Sequence, residues 1–407
     1  MIEIPYEEVL EAYFECRKNK RNTYDALKFE INYEIKCLKL CNEMNSRTYE
    51  ISKSIAFLVQ RPKLREVFAA CFRDRIVHHL IVRRLEPLFE EVFIQDSYNC
   101  RKGKGTLHGI KRLQEKVKNF TENYTKPCYI AKFDLQGFFM SIHKPTLWDM
   151  LEEFIHKEYI GDDIDALLYL TKKVVLHNPE LCCVKKSSPK LWEKLPKNKS
   201  LFTVGKDYGL PIGNLTSQMF ANFYLNEFDH IMIRKFKGFY GRYVDDFHVE
   251  VSDKKDVLSC LVGMRNWLKD TLHVNLHKDK FYLQYYTKGC KFTGAVVKGN
   301  ITYIANSTVS NFMNAVHRFN KLAEEDPNYV INNVDKFLAT VNSYLGFMRQ
   351  YNSYALRRKL IKSISPLWWK VFYIRGHFEV AACKKEYNKL KQLKKKLINN
   401  TYYDKNN

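Results

Sequence analysis

Three carboxylates set out the chemistry open to this chain. Asp245 and Asp246 are adjacent, in the stretch Phe239-Tyr240-Gly241-Arg242-Tyr243-Val244-Asp245-Asp246-Phe247-His248-Val249-Glu250. Aromatic and β-branched residues on either side predict two short strands with the acid pair on the tight turn between them. Neighbours in a strand face opposite ways; at a turn they need not, so one or both aspartates can address a shared cation. An Asp-Asp pair standing alone is more often a solvated hairpin tip. Asp134 shifts that balance. Tyr129-Ile130-Ala131-Lys132-Phe133-Asp134 is an apolar strand that ends in a single acid, and Gly137 and aromatics follow it. Asp134 and Asp245 lie too far apart in sequence to share a strand. Carboxylates brought together at two strand ends suit hard divalent cations. Two such ions about 4 Å apart would clamp the attacking and leaving oxygens of a phosphoryl transfer.

The elements around these acids follow from hydrophobic periodicity. Residues 1–47 read as helical, with Ile2, Tyr6, Leu10 and Phe14 every four residues, then Leu27, Ile31 and Ile35. Arg17 to Arg21 is a basic turn, solvated or touching phosphate. Residues 53–72 alternate as a hairpin, and Asp74 to Leu88 is a helix whose His78 and His79 are packing or surface residues. Ser97-Tyr98-Asn99-Cys100-Arg101-Lys102-Gly103-Lys104-Gly105-Thr106 is a basic, glycine-bearing loop opening a helix. It is either ordinary or an anion cradle, since glycines and a helix start let N–H groups approach phosphate. Residues 146–177 read as helical. The lysine-rich stretch 178–208 reads as an irregular insertion, broken by Pro179, Pro189 and Pro196. Gly209-Leu210-Pro211-Ile212-Gly213 is a turn before a helix with Leu215, Met219 and Phe223 on one face. An amphipathic helix over 254–271, a hairpin over 289–297 and helices from about 305 to 400 complete the reading. Trp368, Trp369 and Tyr373 either stack on nucleic acid or pack among those helices.

The 407 residues suffice for two or three subdomains. Lys and Arg number 67 against 45 acids, a net charge of +22, which points to a polyanionic partner. The 26 tyrosines and 27 phenylalanines suit base stacking and core packing alike. Eleven cysteines without a Cys-x-x-Cys pair imply free thiols in a reducing cytoplasm and argue against structural zinc. Glu3, Glu7 and Glu8 near the start argue against a signal segment, and no apolar run reaches membrane-span length. The expected location is cytoplasmic, with no membrane partner.

Tyr243-Val244-Asp245-Asp246 together with Phe133-Asp134 resembles the palm of reverse transcriptases, and the resemblance extends over about residues 50–300 through several ordered motifs. It implies an α+β fold, a right-hand polymerase with fingers, an antiparallel-sheet palm and a helical thumb. The corresponding boundaries are 1–50 for an N-terminal helical extension, 51–125 for fingers, 126–298 for palm with a fingers-like insertion at about 164–208, and 299–407 for thumb and a basic C-terminal helix. The implied activity is RNA-directed DNA synthesis. Asp134, Asp245, Asp246 and the backbone carbonyl of Leu135 would hold two Mg²⁺ ions, with Mn²⁺ as the alternative. Lys280 would be the general acid for pyrophosphate departure, with Lys278 as second choice.

Further roles follow the same resemblance. Arg101, in a segment similar to the family's Ser-Tyr-x-x-Arg-x-Gly-x-Gly, would cover the incoming phosphates. Phe139, five residues after Asp134, would crowd the sugar 2′-hydroxyl and select deoxynucleotides; its other reading is a core phenylalanine. Ile212, Gly213 and Gln218 would face nucleotide and template, and Phe292 and Gly294 would form the primer grip. The common family form has Gln at the place of Ile212 and Ser-Pro at the place of Ser217-Gln218. The form present here is similar to reverse transcriptases of diversity-generating retroelements and of defence-associated bacterial groups (retron-like and unknown-group). Implied partners are an RNA template, expected to be a structured noncoding RNA, a DNA primer and product, dNTPs, and an accessory protein or further copy. The lysines from Lys384 to Lys396 would bind RNA or form a solvated helix. Two rival functions remain: template-independent or protein-primed DNA synthesis, and a catalytically silent RNA-binding protein.

Overall fold

The structure, a computed structural model, describes residues 3–18, 23–61 and 63–387. Most of the basic turn at 17–21, and the terminal lysines from 389 onward, lie outside the described residues. The chain divides into two compact units, one of residues 1–112 and 119–285, the other of residues 113–118 and 286–407. The hairpin at 289–297 therefore groups with the helices after it, ahead of the expected boundary at 298.

The first unit opens with α1 (Tyr6–Lys18), α2 (Tyr24–Glu30) and α3 (Tyr33–Asn45). Val9, Ala12, Tyr13 and Cys16 give α1 one buried face at helical spacing. The expected hairpin is β1 (Ser54–Val59) and β2 (Arg65–Ala69), paired from Ile55↔Ala69 to Val59↔Arg65. The helix α4 (Phe72–Val92) buries Ile76, Leu80 and Leu85, with His78 packed beside them, and α5 (Thr106–Phe120) opens where the basic loop ends. After β3 (Tyr129–Asp134) and the single turn α6 (Phe138–Ser141), the helix expected over 146–177 is two, α7 (Lys144–Glu158) and α8 (Ile164–Leu176). The break is fixed by Asp163, which accepts from the Tyr159 hydroxyl at 2.6 Å and pairs with Arg84 at 2.7 Å.

Residues 178–208 are mostly irregular, as expected, yet built into the hairpin. Within them β4 (Cys183–Lys185) adds to β1 as a parallel third strand, and α9 (Pro189–Trp192) follows. The buried Glu66 carboxylate on β2 accepts from Ser200 Oγ at 2.6 Å and from the Leu201 amide at 2.8 Å. A buried carboxylate requires such donors, so Glu66 fixes the segment in place. The turn at Gly213 lies against β2 as well. Phe68 donates its amide to the Ile212 carbonyl at 2.8 Å. Gly213 has φ +121°, and a Cβ there would come within 2.7 Å of the Phe68 carbonyl, so glycine alone fits.

Met219 and Phe223 of α10 (Leu215–Tyr224) are buried as read, but Leu215 is 39% exposed and leaves the face it was expected to share. It is the first helical residue and projects from the opening turn beyond the core. Then come α11 (Asn226–Lys235), β5 (Tyr240–Tyr243), β6 (Asp246–Val251), α12 (Lys254–Leu272) and β7 (Tyr282–Tyr285). The strands form one antiparallel sheet in the order β5-β6-β3-β7. Ile130, Ala131 and Phe133 are all buried, as befits a strand paired on both sides, and Phe133 stacks on Phe247 at 4.9 Å.

The second unit begins with β8 (Cys290–Phe292), β9 (Ala295–Lys298) and β10 (Ile301–Ile304), an antiparallel sheet ordered β10-β9-β8. Among the described residues four helices follow: α13 (Asn306–Glu325), α14 (Pro327–Met348), α15 (Tyr354–Lys362) and α16 (Pro366–Trp369). Their core is built on Phe319, Phe337 and Trp368. Trp368 is fully buried and stacked on Phe337 at 4.1 Å, so it is a core residue here. The chain then departs from the all-helical expectation. Phe372-Tyr373-Ile374 is a β-prone run, Gly376 turns with φ +60°, and β11 (Phe372–Arg375) pairs with β12 (Val380–Cys383). The eleven cysteines are free thiols, and no described helix is long and apolar enough to cross a membrane.

Candidate active site

The acids meet because of strand register. β3 pairs with β6 so that Asp134 stands directly opposite Asp246. β5 pairs with β6 through Tyr243↔Asp246, which leaves Val244 and Asp245 as the two-residue turn. The Leu135 amide donates to the Asp245 carbonyl at 3.1 Å, and the His277 amide donates to the Asp134 carbonyl at 2.8 Å. These bonds tie the end of β3 to the turn on one side and to residues 276–280 on the other. Like charges directly across a ladder repel, so such a cluster needs compensating cations.

Two lysines supply them. Lys280 is ion-paired with Asp134, and Lys132 Nζ lies 3.1 Å from Asp246. Burial, with Asp134 and Asp246 beside it, pushes Asp245 up to about 6. Burial also raises Asp246, with the Lys132 ammonium pulling the other way. Among the described residues no group of three or more His, Cys, Asp or Glu side chains stands as a ready-made ligand set, and Asp134 and Asp246 are each paired with a lysine. The donor set still suits a hard divalent ion: oxygens only, three carboxylates, and mutual repulsion that a cation relieves. Sequence reasoning missed Lys132. Its signal was available, since Lys132 and Asp134 are two apart on one strand and so share a face.

Phe138 is buried, and Phe139 is partly buried with its carbonyl accepting from the Leu210 amide at 2.8 Å. Gln218 Oε1 accepts from Cys100 Sγ at 2.7 Å, which links α10 to the basic loop. Lys278 lines a separate cleft of about 470 Å³ with Arg265 and Lys269, whereas Lys280 touches Asp134. Phe292 and Gly294 belong to the second unit. Phe292 is buried, and the Gly294 carbonyl accepts from Thr308 Oγ1 at 2.9 Å.

Arg101 departs from its expected placement. Its side chain is 5% exposed and ion-paired with Glu90 at 2.8 Å, and its Nη1 donates to the Ile94 and Ser97 carbonyls at 2.6 and 3.1 Å. The guanidinium braces its own loop instead of facing outward. Glu90 lies on α4, eleven residues upstream, and nothing in the loop's local sequence signals that pairing. The second residue that sequence reasoning missed is Arg242, fully buried against Asp229.

Residues 60–297 match the family described as reverse transcriptase (RNA-dependent DNA polymerase), more than half of the chain. The chain belongs to that family, and its fold is the α+β right hand. It is similar to Protein YkfC of Escherichia coli (strain K12), 22% identical over 265 residues, which cover 57% of this chain and 62% of that protein. Among solved structures it is similar to apo telomerase from Candida tropicalis (TM-score 0.47, 11% identity, 77% of this chain and 60% of that one). A second is telomerase from Candida albicans in complex with a TWJ fragment of telomeric RNA (TM-score 0.42, 12% identity, 83% and 60%). The chain thus spans about three fifths of the length of these relatives.

Proposed function

We propose that this chain is an RNA-directed DNA polymerase that copies a structured noncoding RNA. One observation carries the reading: the register that sets Asp134 opposite Asp246, with Asp245 in the adjoining turn and a lysine at each of the two strand aspartates. Asp134, Asp245 and Asp246, with the Leu135 carbonyl, are the groups that would hold divalent ions, two Mg²⁺ by preference or Mn²⁺. Bound there, such ions would supply positive charge to a primer 3′-hydroxyl and to the leaving pyrophosphate. Lys280 gives up its pairing with Asp134 and hands a proton to the departing pyrophosphate. Phe139 bounds the sugar. Ile212, Gly213 and Gln218 bound the nucleotide and template, and Phe292 and Gly294 guide the primer. Arg101 acts by keeping the basic loop folded.

Domain roles follow: fingers over 51–125, palm over 126–298 with an insertion at about 164–208, and thumb over 299–407. Ile212 with Ser217-Gln218 favours a role in a diversity-generating retroelement or in antiviral defence. The test uses purified protein with its co-purifying RNA, all four dNTPs and Mg²⁺. DNA complementary to that RNA is expected, and none from the Asp245→Ala, Asp246→Ala protein. DNA without a matching RNA would instead mean template-independent or protein-primed synthesis. RNA retained with no DNA under any primer would mean a silent binder.

A further inference from the structure

The aspartate turn is held in a conformation that its own residues disfavour. Val244 has φ +59°. The first position of such a two-residue hairpin turn is normally glycine, and a β-branched residue in the left-handed region is strained. Something outside the turn must hold it there.

A buried side chain hydrogen-bonds to the turn. Arg242 Nη1 donates to the Val244 carbonyl at 3.0 Å. The rest of the guanidinium is anchored and fully buried. Nε donates to Asp229 Oδ1 at 2.7 Å and Nη2 donates to Asp229 Oδ2 at 2.6 Å, a two-pronged pair with neither side chain exposed. Tyr240 donates its hydroxyl to the same Asp229 at 2.5 Å. Asn222 Oδ1 accepts from Nη1 at 3.3 Å, and Ser97 Oγ accepts from Nη2 at 3.4 Å. Asp229 lies on α11, Asn222 on α10, and Ser97 heads the basic loop. The Arg242 backbone joins in, its amide donating to the Asp96 carbonyl and its carbonyl accepting from the Tyr98 amide, both at 2.9 Å.

A buried ion pair is seldom more stabilising than the apolar residues that could replace it. The particular property of arginine is geometric. Its donors lie in one fixed plane, so a single side chain can grip a carboxylate and a turn carbonyl at once.

We propose that Arg242 is a positioning residue. Clamped by Asp229, it holds Val244 in the left-handed conformation and so sets where Asp245 and Asp246 stand to bind divalent ions. The proposal rests on the polymerase reading above for what those ions do, but not for whether they bind.

The test replaces the polar cluster by apolar volume, with Arg242→Met, Asp229→Leu and Tyr240→Phe together. Three quantities are read: melting temperature, Mn²⁺ affinity without nucleic acid by electron paramagnetic resonance, and the Mg²⁺ concentration for half-maximal DNA synthesis. The variant is expected to melt near the wild-type temperature while Mn²⁺ affinity falls roughly tenfold or more, the range found for residues that orient metal ligands. The Mg²⁺ midpoint rises in parallel, and a further Val244→Gly moves both back towards wild type. A folded triple variant with wild-type Mn²⁺ affinity would overturn the proposal. Should the triple variant not fold, Val244→Ala and Val244→Gly in the otherwise intact protein still test the strain that the clamp must hold. Both lose the methyl groups, and only alanine keeps the left-handed penalty, so glycine is expected to melt higher. The opposite order sinks the clamp. If the wild-type protein makes no DNA with either ion, the polymerase reading fails, and the Mn²⁺ and melting data still judge Arg242.

Discussion

Arg242–Asp229 and Lys280–Asp134 are both cation–carboxylate pairs in the first unit, and burial makes them different devices. Neither side chain of the first pair is exposed, whereas Lys280 is 53% exposed and Asp134 13%. Water and relaxation cannot screen the first pair, so losing one partner strands a charge in the interior. The second pair sits where water can take up either charge, so Asp134 can exchange its lysine for another cation at little cost. Lys132–Asp246 is intermediate, with side chains 21% and 27% exposed. Asp134 and Asp246 are thus paired loosely, while Asp229 is paired permanently.

The largest expected effect tests the buried member. Arg242→Met alone leaves Asp229 charged and unpaired, and should lower unfolding free energy by about 3–5 kcal/mol in a denaturant titration. A loss no larger than that of an exposed pair would erase the distinction. Lys280→Ala should leave stability nearly unchanged and slow single-nucleotide addition by roughly 100-fold, the lower end for a lost proton donor. An unchanged rate would leave Lys280 as a counter-ion only.

The pH dependence comes next. Asp245 is raised to about 6 in the folded chain, above its unfolded value near 3.9. Between these values the folded state binds the extra proton. Its contribution is therefore fully present below about pH 4 and lost as pH rises through 6. Without divalent ions, the wild type should lose roughly 1 kcal/mol more than Asp245→Asn between pH 5 and 7.5, measured by chemical unfolding at each pH. A difference of the opposite sign would mean that the lysines outweigh burial. Smallest of all, Lys132→Met should change stability by about 0.5 kcal/mol while tightening Mn²⁺ binding, since a competing cation is removed. Weaker binding would make Lys132 part of the site's architecture.

The aspartates were legible because their signals are local. Aromatic and β-branched residues around Asp245-Asp246, and an apolar run ending at Asp134, report strands and a turn by composition alone. The hairpin over 53–72 and the amphipathic helix over 254–271 were legible for the same reason, since their periodicity needs no distant partner. Arg101 misled because its partner Glu90 lies on another element, and a basic loop looks alike whether its arginine faces outward or is buried. The hairpin Phe372–Cys383 was missed because a run of helices set the expectation for a short β-prone stretch.

By itself, then, the sequence determined which residues could do the chemistry and which strands would carry them. Side-chain type and short-range periodicity are encoded along the chain. Tertiary structure decided the rest: that Asp134 faces Asp246, that Lys132 and Lys280 neutralise them, and that Arg242 grips both Asp229 and the Val244 carbonyl. Those facts depend on register and burial. Both are properties of segments far apart in sequence meeting in space, and no window of residues contains them.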